Sequence, residues 1–338
     1  MEAVQTQETR TVAVIGAGSF GVAVSHMLNA KGAAVHLWCY RGADAAYINE
    51  HHCHPTFFPE TPLKQVTAFA AVPETVQGCE SVIIVTPSFG VKAAAEALDG
   101  CLPQQTPVLV LSKGLDVHTE KPLYQVVAAI IGNPARVAVL SGPNHAEELI
   151  VGTYAGAVVA STDKQVACYF QQLLASPTFR LYTTDDPVGV SLCAAAKNVI
   201  AIACGIARGM GQGDNTVALL LTRGAAEIAR LVKADGGKVE TVFGLAGIGD
   251  LNATCCSPHS RNGMYGEAFA RRGISVADYE AERHMVVEGA HAVGPLLQLA
   301  ADTGIELPIM DAVASLLNGG LDIKDAGAYL MNRALKDE

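Results

Sequence analysis

One lysine interrupts the most apolar helical stretch of the chain. Lys197 and its neighbour Asn198 stand in the segment Ser191–Ala203, whose other residues are nearly all small and apolar. Burying a lone ammonium is too costly, so such a lysine must be paired or must face a cavity. Burial also lowers the pKa of a lysine into a range where it can donate and accept protons. Lys197 is therefore a candidate acid–base group; the alternative is a lysine whose ammonium is solvated at the rim of the helix.

The residues that follow could supply a carboxylate and an anion site. The glycine-rich loop Gly244–Leu251 carries one acidic residue, Asp250, which could orient an ammonium. Further on, Ser260 is a typical N-cap residue. The free amides of the helix that it would cap, together with Arg261 and Asn262, would bind a phosphate.

A glycine motif near the start of the chain predicts a dinucleotide site. The sequence Gly16-Ala17-Gly18-Ser19-Phe20-Gly21 follows an apolar strand and opens a helix. In this pattern Gly16 permits the tight turn, Gly18 lets backbone amides approach a pyrophosphate, and Gly21 lets the helix pack closely on the sheet. The helix dipole adds to the attraction for the anion. The alternative is a turn with a structural role alone.

The end of the second strand bears on which dinucleotide binds. Arg41 stands where NAD-specific folds commonly have an acidic residue, and the first acidic residue after it is Asp44. An arginine at this position accommodates the 2′-phosphate of NADPH. We therefore favour NADPH and leave NADH open, with a solvated Arg41 as the alternative.

A second lysine follows a buried strand. Lys113, between Ser112 and Gly114, would place an ammonium at the carboxyl ends of the strands, where ligands of such sheets bind. An ordinary surface lysine is an equally good interpretation.

These motifs together predict hydride transfer on a small phosphorylated alcohol or ketone. They would provide a redox cofactor, a desolvated lysine, a carboxylate and an arginine-based phosphate site.

The elements that would position these residues fall into two halves. Continuous apolar strands that alternate with helical patterns are typical of a parallel sheet covered on both faces. The predicted strands are Thr11–Ile15, Ala34–Trp38, Ser81–Thr86, Pro107–Leu111, Arg136–Leu140, Ala157–Ser161 and Phe179–Tyr182. Strand signals fade from Pro187 onward, and the predicted helices there are Val188–Arg208, Asn215–Lys233, Val293–Thr303 and Ile309–Leu317. We predict an α/β domain with a Rossmann-type doubly wound sheet over residues 1–185 and an all-helical domain over residues 186–338.

Composition excludes several classes of protein. The 338 residues carry 23 Lys and Arg against 33 Asp and Glu, a net charge of −10 without a basic block, which argues against nucleic-acid binding. The mean hydropathy of +0.28 raises the question of a membrane segment. The longest uncharged run, Thr11–Ala30, contains the glycine motif, and no basic start of a signal peptide precedes it. We expect no membrane insertion, a cytoplasmic location and reduced cysteines.

The cluster His51-His52-Cys53-His54 has residue types that bind metals. Tandem ligands cannot easily share one metal ion, and no second cluster completes a site. We predict no metal site and a solvated loop.

Eight motifs run in order from about residue 11 to about residue 325. They are Gly16–Gly21, Ser112-Lys113-Gly114, Ser141–Glu148, Ala196–Ala201, Gly211–Asn215, Gly244–Leu251, Ser260-Arg261-Asn262 and Val286–Gly289. In this series the chain resembles the bacterial NAD(P)-dependent glycerol-3-phosphate dehydrogenases. The resemblance implies a reversible reduction of dihydroxyacetone phosphate to sn-glycerol 3-phosphate, which supplies glycerophospholipid synthesis. It also implies that the enzyme is a homodimer.

The resemblance also assigns roles to individual residues. Lys197 is the implied proton donor and acceptor. The implied substrate site, to which we add Asn198 and Thr254, comprises Lys113, Gly142, Asn144, Lys197, Asp250, Ser260, Arg261 and Asn262. The implied cofactor residues are Ser19, Phe20, Arg41, Lys113, Ala146, Arg261, Val286 and Glu288, in addition to Gly16, Gly18 and Gly21 of the glycine motif.

Two departures and two alternatives remain. Asn144 stands where the family often has a small hydroxyl or alanine, and Tyr40 replaces a residue that is often basic. One alternative is a β-hydroxyacid-type dehydrogenase that acts on a carboxylate substrate. The other is a non-catalytic NAD(P)-sensing module, against which an intact Lys197 and Asp250 argue.

Overall fold

The computed structural model describes residues 10–335, which form two compact units. The first contains residues 10–112, 124–140 and 144–185. The second contains residues 113–123, 141–143 and 186–335. The second unit therefore includes two short segments, after Ser112 and after Leu140, that chain order alone would assign to the first.

The first unit is built on an eight-stranded sheet. Its strands are β1 (Thr11–Ile15), β2 (Ala34–Trp38), β3 (Val66–Phe69), β4 (Ser81–Ile84), β5 (Val108–Val110), β6 (Val137–Ser141), β7 (Ala155–Ala160) and β8 (Phe179–Thr184). They are arranged in the order β3-β2-β1-β4-β5-β6-β7-β8. The strands from β3 through β6 pair in parallel along this order, as do β7 and β8. The predicted doubly wound sheet is confirmed.

Helices connect these strands. They are α1 (Ser19–Ala30), α2 (Gly42–His51), α3 (Val72–Thr75), α4 (Val91–Leu98), α5 (Leu123–Ile131), α6 (Ala146–Ile150) and α7 (Lys164–Leu174). The central strands β1 and β4 are buried almost along their whole length, which explains their continuous apolar sequences. The prediction missed β3, a four-residue edge strand in which Thr67 is exposed, because its apolar run is too short to stand out.

The second unit is helical, as predicted. Its helices are α8 (Pro187–Gly209), α9 (Asp214–Ala234), α10 (Val239–Val242), α11 (Asp250–Cys256), α12 (Arg261–Arg272), α13 (Val276–Arg283), α14 (Glu288–Thr303), α15 (Pro308–Leu317) and α16 (Ala326–Met331). Asp186 caps α8 by accepting a hydrogen bond from the Gly189 amide at 2.9 Å, and Pro187 occupies the first turn.

Helix α8 is the core of this unit and packs against α9, α11, α12 and α14. By length and composition alone it could span a membrane, but 94% of its most apolar window is buried inside the protein. Glycines let α8 and α12 approach closely. A Cβ at Gly205 would lie 2.1 Å from the Gly263 carbonyl oxygen, and one at Gly266 would lie 2.3 Å from that of Ile202. Any larger residue at these positions would force the two helices apart.

A buried carboxyl joins α9 to α15. Glu227 is 2% exposed and accepts hydrogen bonds from the backbone amides of Ile309, at 2.7 Å, and Met310, at 3.3 Å. These amides belong to the first turn of α15 and have no acceptor within the helix. Burial raises the pKa of Glu227 to about 7, because the two amide bonds only partly offset the loss of solvation.

We predict that Glu227→Ala lowers the free energy of unfolding by roughly 2 kcal/mol, because two buried amides lose their acceptor. Since the folded-state pKa lies above the unfolded value of about 4.3, ionisation of Glu227 reduces stability as the pH rises from there towards 7. Glu227→Gln should abolish this component of the pH dependence. Denaturant unfolding between pH 4.5 and 8 provides the measurement, and identical pH profiles for wild type and Glu227→Gln would contradict the assignment.

Candidate active site

Four side chains converge on one carboxylate in the second unit. The Lys197 ammonium donates to Asp250 Oδ1 at 2.5 Å, and the Lys113 ammonium donates to Asp250 Oδ2 at 2.9 Å. The Ser141 hydroxyl also donates to Oδ2, at 2.9 Å. Thr254 contacts both Lys197 and Asp250: its hydroxyl accepts from Lys197 Nζ at 2.7 Å and lies 3.3 Å from Asp250 Oδ1.

Local structure explains why these groups meet. Lys197 lies in the middle of buried α8, and Asp250 is the first residue of α11, where a carboxylate is favoured by the helix dipole. A π-helical turn, Leu245–Gly249, precedes Asp250, and such turns are frequent at functional sites. Within this turn Gly247 is obligatory, since a Cβ there would lie 2.1 Å from the Val242 carbonyl oxygen.

Burial and charge act in opposition on the two central groups. Lys197 is 4% exposed and Asp250 is 2% exposed. Burial lowers the pKa of Lys197 to about 8, although the charge of Asp250 raises it. Burial would raise the pKa of Asp250, but the ammonium groups of Lys113 and Lys197 outweigh burial and hold that pKa well below its usual range. Near neutral pH the site thus holds a permanent carboxylate beside a lysine that can exchange its proton.

The N-terminus of α12 lies against α8, the helix that carries Lys197. Ser260 caps α12 by accepting from the Gly263 amide at 3.2 Å, as predicted. Asn262 Nδ2 donates to Asn198 Oδ1 at 3.0 Å, and Asn262 Oδ1 accepts from the Gly289 amide at 2.9 Å. Arg261 is exposed at the first position of the helix. The asparagines are thus bound to each other, and each Nδ2 still carries a second N–H.

Two residues of this region were missed by the sequence analysis. Ser141 was identified as part of a motif but not as a partner of Asp250, which lies 109 residues further along the chain. Arg208 donates from Nη1 to the Cys255 carbonyl oxygen at 2.8 Å and from Nε to Glu267 at 3.1 Å, so it joins the end of α11 to α12. Local sequence gives no signal for such distant partners.

The glycine motif in the first unit has the geometry of a dinucleotide site. Gly16 has a φ of +127°, and a Cβ there would lie 2.9 Å from the Val85 carbonyl oxygen. A Cβ at Gly18 would meet nothing within 4 Å, so the backbone is open to a ligand there. Gly18 is also the N-cap of α1 and forms no side-chain cap bond, and the first turn of the helix has no acidic residue. The amides of that turn therefore suit a pyrophosphate.

Neighbouring polar groups fit the same ligand. The Thr86 hydroxyl is buried without a hydrogen-bond partner among residues 10–335 and follows directly on Val85, which packs on Gly16. A buried hydroxyl of this kind calls for an acceptor or donor. Arg41 is exposed at the N-cap of α2, and its Nε donates to Asp44 at 2.9 Å.

The other predicted site residues are divided between the units. In the first unit, Ser19 and Phe20 begin α1, while Ala146 begins α6, which packs on α1; Asn144 is buried just before it. In the second unit, Gly142 is buried next to Ser141, Val286 is half-buried, and Glu288 is the first residue of α14.

The histidine cluster differs in part from the predicted solvated loop. His51 and His52 are exposed, but His54 is 1% exposed. The prediction was therefore wrong for His54, whose ring accepts two backbone hydrogen bonds that compensate for its burial. Within residues 10–335 no group of three or more histidine, cysteine or acidic side chains is arranged to hold a metal ion.

We predict that Asp250→Asn lowers the pKa of Lys197 below about 8, because the supporting negative charge is removed while burial persists. The pKa can be measured by NMR titration of ¹³C-labelled lysine side chains. Asp302→Asn, which neutralises an exposed carboxylate on α14, is the control and should leave the value unchanged. An unchanged or higher pKa of Lys197 in Asp250→Asn would show that Asp250 does not support its charge.

Comparison with known proteins identifies the family. Models described as the N-terminus and the C-terminus of NAD-dependent glycerol-3-phosphate dehydrogenase match residues 11–167 and 186–328. The glycerol-3-phosphate dehydrogenase (NAD(P)+) of Moorella thermoacetica is 42% identical over 324 residues, 96% of each chain. That of Thermobifida fusca is 41% identical and covers 97% of this chain and 98% of its own. The crystal structure of glycerol-3-phosphate dehydrogenase from Coxiella burnetii has a TM-score of 0.90 at 32% identity and covers 96% of this chain and 99% of its own. The chain therefore belongs to the NAD(P)-dependent glycerol-3-phosphate dehydrogenases, a family of oxidoreductases, as its motifs predicted.

Proposed function

We propose that the protein catalyses the reversible reduction of dihydroxyacetone phosphate to sn-glycerol 3-phosphate with NADPH. The observation that carries this proposal is the buried cluster in which Lys197 is hydrogen-bonded to Asp250 and Thr254. Reducing a ketone requires a proton for its oxygen, and Lys197 is the buried group with a pKa suited to supply it. The dinucleotide, when bound, supplies the hydride.

Lys197 acts at the substrate oxygen. As the ketone becomes an alcohol its oxygen gains negative charge, which the ammonium first stabilises and then neutralises by donating its proton. Asp250 holds the ammonium in place and stays ionised throughout. Lys113, on the other oxygen of Asp250, adds a second positive charge that favours the developing oxyanion. In the reverse direction Lys197, once neutral, accepts the proton of the alcohol.

The N-terminus of α12 is the proposed binding site of the substrate phosphate. Helix amides behind the Ser260 cap and the guanidinium of Arg261 offer the donors that a phosphate needs. Asn262 and Asn198 hold this turn beside Lys197 and keep further N–H groups for the substrate. Gly142 and Asn144 are the remaining proposed substrate residues. We propose that the anion bound at α12 is a phosphate and not a carboxylate.

The proposed cofactor residues begin with the glycine motif of the first unit. Gly16, Gly18 and Gly21 with Ser19 and Phe20 would bind the pyrophosphate at α1, and Thr86 is available beside them. Arg41 supports NADPH over NADH, because a guanidinium matches the 2′-phosphate and the contact with Asp44 uses only its Nε. The other proposed cofactor residues are Lys113, Ala146, Arg261, Val286 and Glu288.

We also propose a cytoplasmic location and a homodimeric state for the protein. Residues 1–185 would be the cofactor domain and residues 186–338 the substrate domain of a cytoplasmic homodimer that supplies glycerophospholipid synthesis. All nine cysteines are free thiols, including the adjacent Cys255 and Cys256, which supports a reducing compartment.

The first test follows the oxidation of NADPH or NADH in the presence of dihydroxyacetone phosphate. We expect rapid turnover by the wild type and a loss of at least roughly a hundredfold in Lys197→Ala, because the proton donor is gone. Reduction should slow as the pH rises through about 8, where Lys197 loses its proton. Lys233→Ala, which removes an exposed lysine in the last turn of α9, is the control. Wild-type protein that binds NADPH but reduces no dihydroxyacetone phosphate would refute the proposal.

The second test concerns the preference for NADPH. We expect Arg41→Ala to lower kcat/KM for NADPH by roughly tenfold or more and to leave that for NADH nearly unchanged, since one charged hydrogen-bonding partner of the 2′-phosphate is lost. Arg180→Ala, at an exposed arginine of the same unit, is the matched control. An equal loss with both dinucleotides would contradict a role for Arg41 at the 2′ position.

A further inference from the structure

Arg208 is a half-buried cation that the proposed mechanism does not use. It stands in the last turn of α8, and its side chain is 29% exposed. Its Nη1 donates to the Cys255 carbonyl oxygen at 2.8 Å, and its Nε donates to Glu267 Oε1 at 3.1 Å. Cys255 belongs to α11 and Glu267 belongs to α12. One planar guanidinium therefore joins three helices of the second unit.

The contact with Cys255 lies next to the acid–base cluster. Cys255 stands in the last turn of α11, where backbone carbonyls have no amide partner within the helix. The guanidinium supplies a donor there, and the negative end of the helix dipole favours its charge. Thr254, the preceding residue, accepts the hydrogen bond from Lys197. Arg208 thus holds the end of the helix that carries Asp250 and Thr254.

The same guanidinium lies against the first turn of α12. A Cβ added at Gly263 would be 3.1 Å from Arg208 Nη2 and 3.3 Å from Ser260 Oγ. Ser260 caps this turn by accepting from the Gly263 amide. Arg208 therefore contacts the turn to which we assign the substrate phosphate.

The charges around Arg208 favour an anion at this end of α12. The Glu267 carboxylate is shared between two guanidinium groups, because Arg271 also binds it, at 3.3 Å. The first turn of α12 contains no acidic residue and begins with Arg261. Cations at the positive end of a helix dipole are unfavourable unless an anion binds there. The arrangement therefore suits a phosphate at this turn.

We propose that Arg208 is a positioning residue of the substrate-phosphate site, which holds the last turn of α11 and the first turn of α12 at a fixed separation. The inference rests on the proposed function, because it takes the N-terminus of α12 as the phosphate site. The hydrogen bonds of Arg208 within the described part of the chain go to Cys255 and Glu267, and not to Lys197 or Asp250. Loss of Arg208 should therefore weaken phosphate binding without altering proton transfer.

Three substitutions separate this role from the effects of charge and of general stability. Arg208→Met keeps the apolar stem of the side chain but loses every donor. Arg208→Lys keeps the charge, but a single ammonium does not reproduce the planar fork that meets the Cys255 carbonyl and Glu267. Arg271→Met is the matched control, because it removes the other guanidinium of Glu267 from an exposed position in the last turn of α12.

The first measurement is the reduction of dihydroxyacetone phosphate at saturating NADPH. We expect the KM for dihydroxyacetone phosphate to rise by roughly tenfold in Arg208→Met, the effect of one lost charged hydrogen bond, and by nearly as much in Arg208→Lys. The kcat, and the pH at which reduction slows, should stay close to wild type, because Lys197 and Asp250 keep their contacts. Arg271→Met should leave all three quantities unchanged.

The second measurement needs no turnover. It is the Kd of inorganic phosphate, followed by the ³¹P line width without ketone and with saturating NADPH, which fills the dinucleotide site. This Kd should rise by the same factor in both Arg208 variants. Wild-type protein that binds phosphate but reduces no dihydroxyacetone phosphate would refute the proposed function and leave Arg208 to be judged by these Kd values. Wild-type protein that binds no phosphate would refute the inference itself.

Other results would also contradict the inference. Wild-type KM and phosphate Kd in folded Arg208→Met would remove any role at the phosphate site. The same values in Arg208→Lys would show that charge alone matters. A fall in kcat at an unchanged KM would place the effect of Arg208 at Lys197. If Arg208→Met does not fold, Arg208→Lys still decides the question, because it keeps a cation at the carbonyl ends of α8 and α11.

Discussion

The carboxylate of Asp250 is the group on which the buried polar network of the second unit depends. Two ammonium groups bind its two oxygens, that of the buried Lys197 and that of Lys113, whose side chain is 21% exposed. Two such cations without a counter-charge would repel each other and would be too costly to bury. The hydroxyls of Ser141 and Thr254 complete the network. Each charge is thus both paired and hydrogen-bonded, which is the condition under which buried ions persist.

The same pairing sets the behaviour of Lys197. A lysine buried without a partner would be neutral at every pH at which the protein works, and a lysine paired at the surface would always be charged. At Lys197 burial opposes the attraction of Asp250, and the pKa comes to about 8. The lysine therefore lies close to the point where donating and accepting a proton are balanced, as a reversible reaction requires.

Much of the fold could be predicted because its causes are local. Continuous apolar strands and the long apolar helix that follows Pro187 depend on residues next to one another, and both were found. The edge strand β3 was missed because four residues carry too little periodicity. At the site, Lys197 and Asp250 stood out as ionisable residues among apolar ones.

The residues that could not be predicted have distant partners or misleading surroundings. Arg208 contacts the Cys255 carbonyl 47 residues away, and no local pattern encodes that contact. His54 stands among polar and metal-binding types, which indicate a solvated loop. Its burial is compensated by the backbone amides of Thr56 and Phe57, which donate to its ring.

The residues proposed to contact the substrate have long side chains, whereas the residues that hold them in place are short. Lys197 and Arg261 are long and flexible, but each is adjacent to an asparagine, and Asn198 and Asn262 are hydrogen-bonded to each other. Glycines on α8 and α12 bring the two backbones into contact around this bond. The spacing between the proposed proton donor and the proposed phosphate site is thus set by short amides and close-packed backbone, which have few alternative arrangements. Substitution of either asparagine would therefore disturb both ends of the proposed substrate site, although neither residue is proposed to exchange a proton.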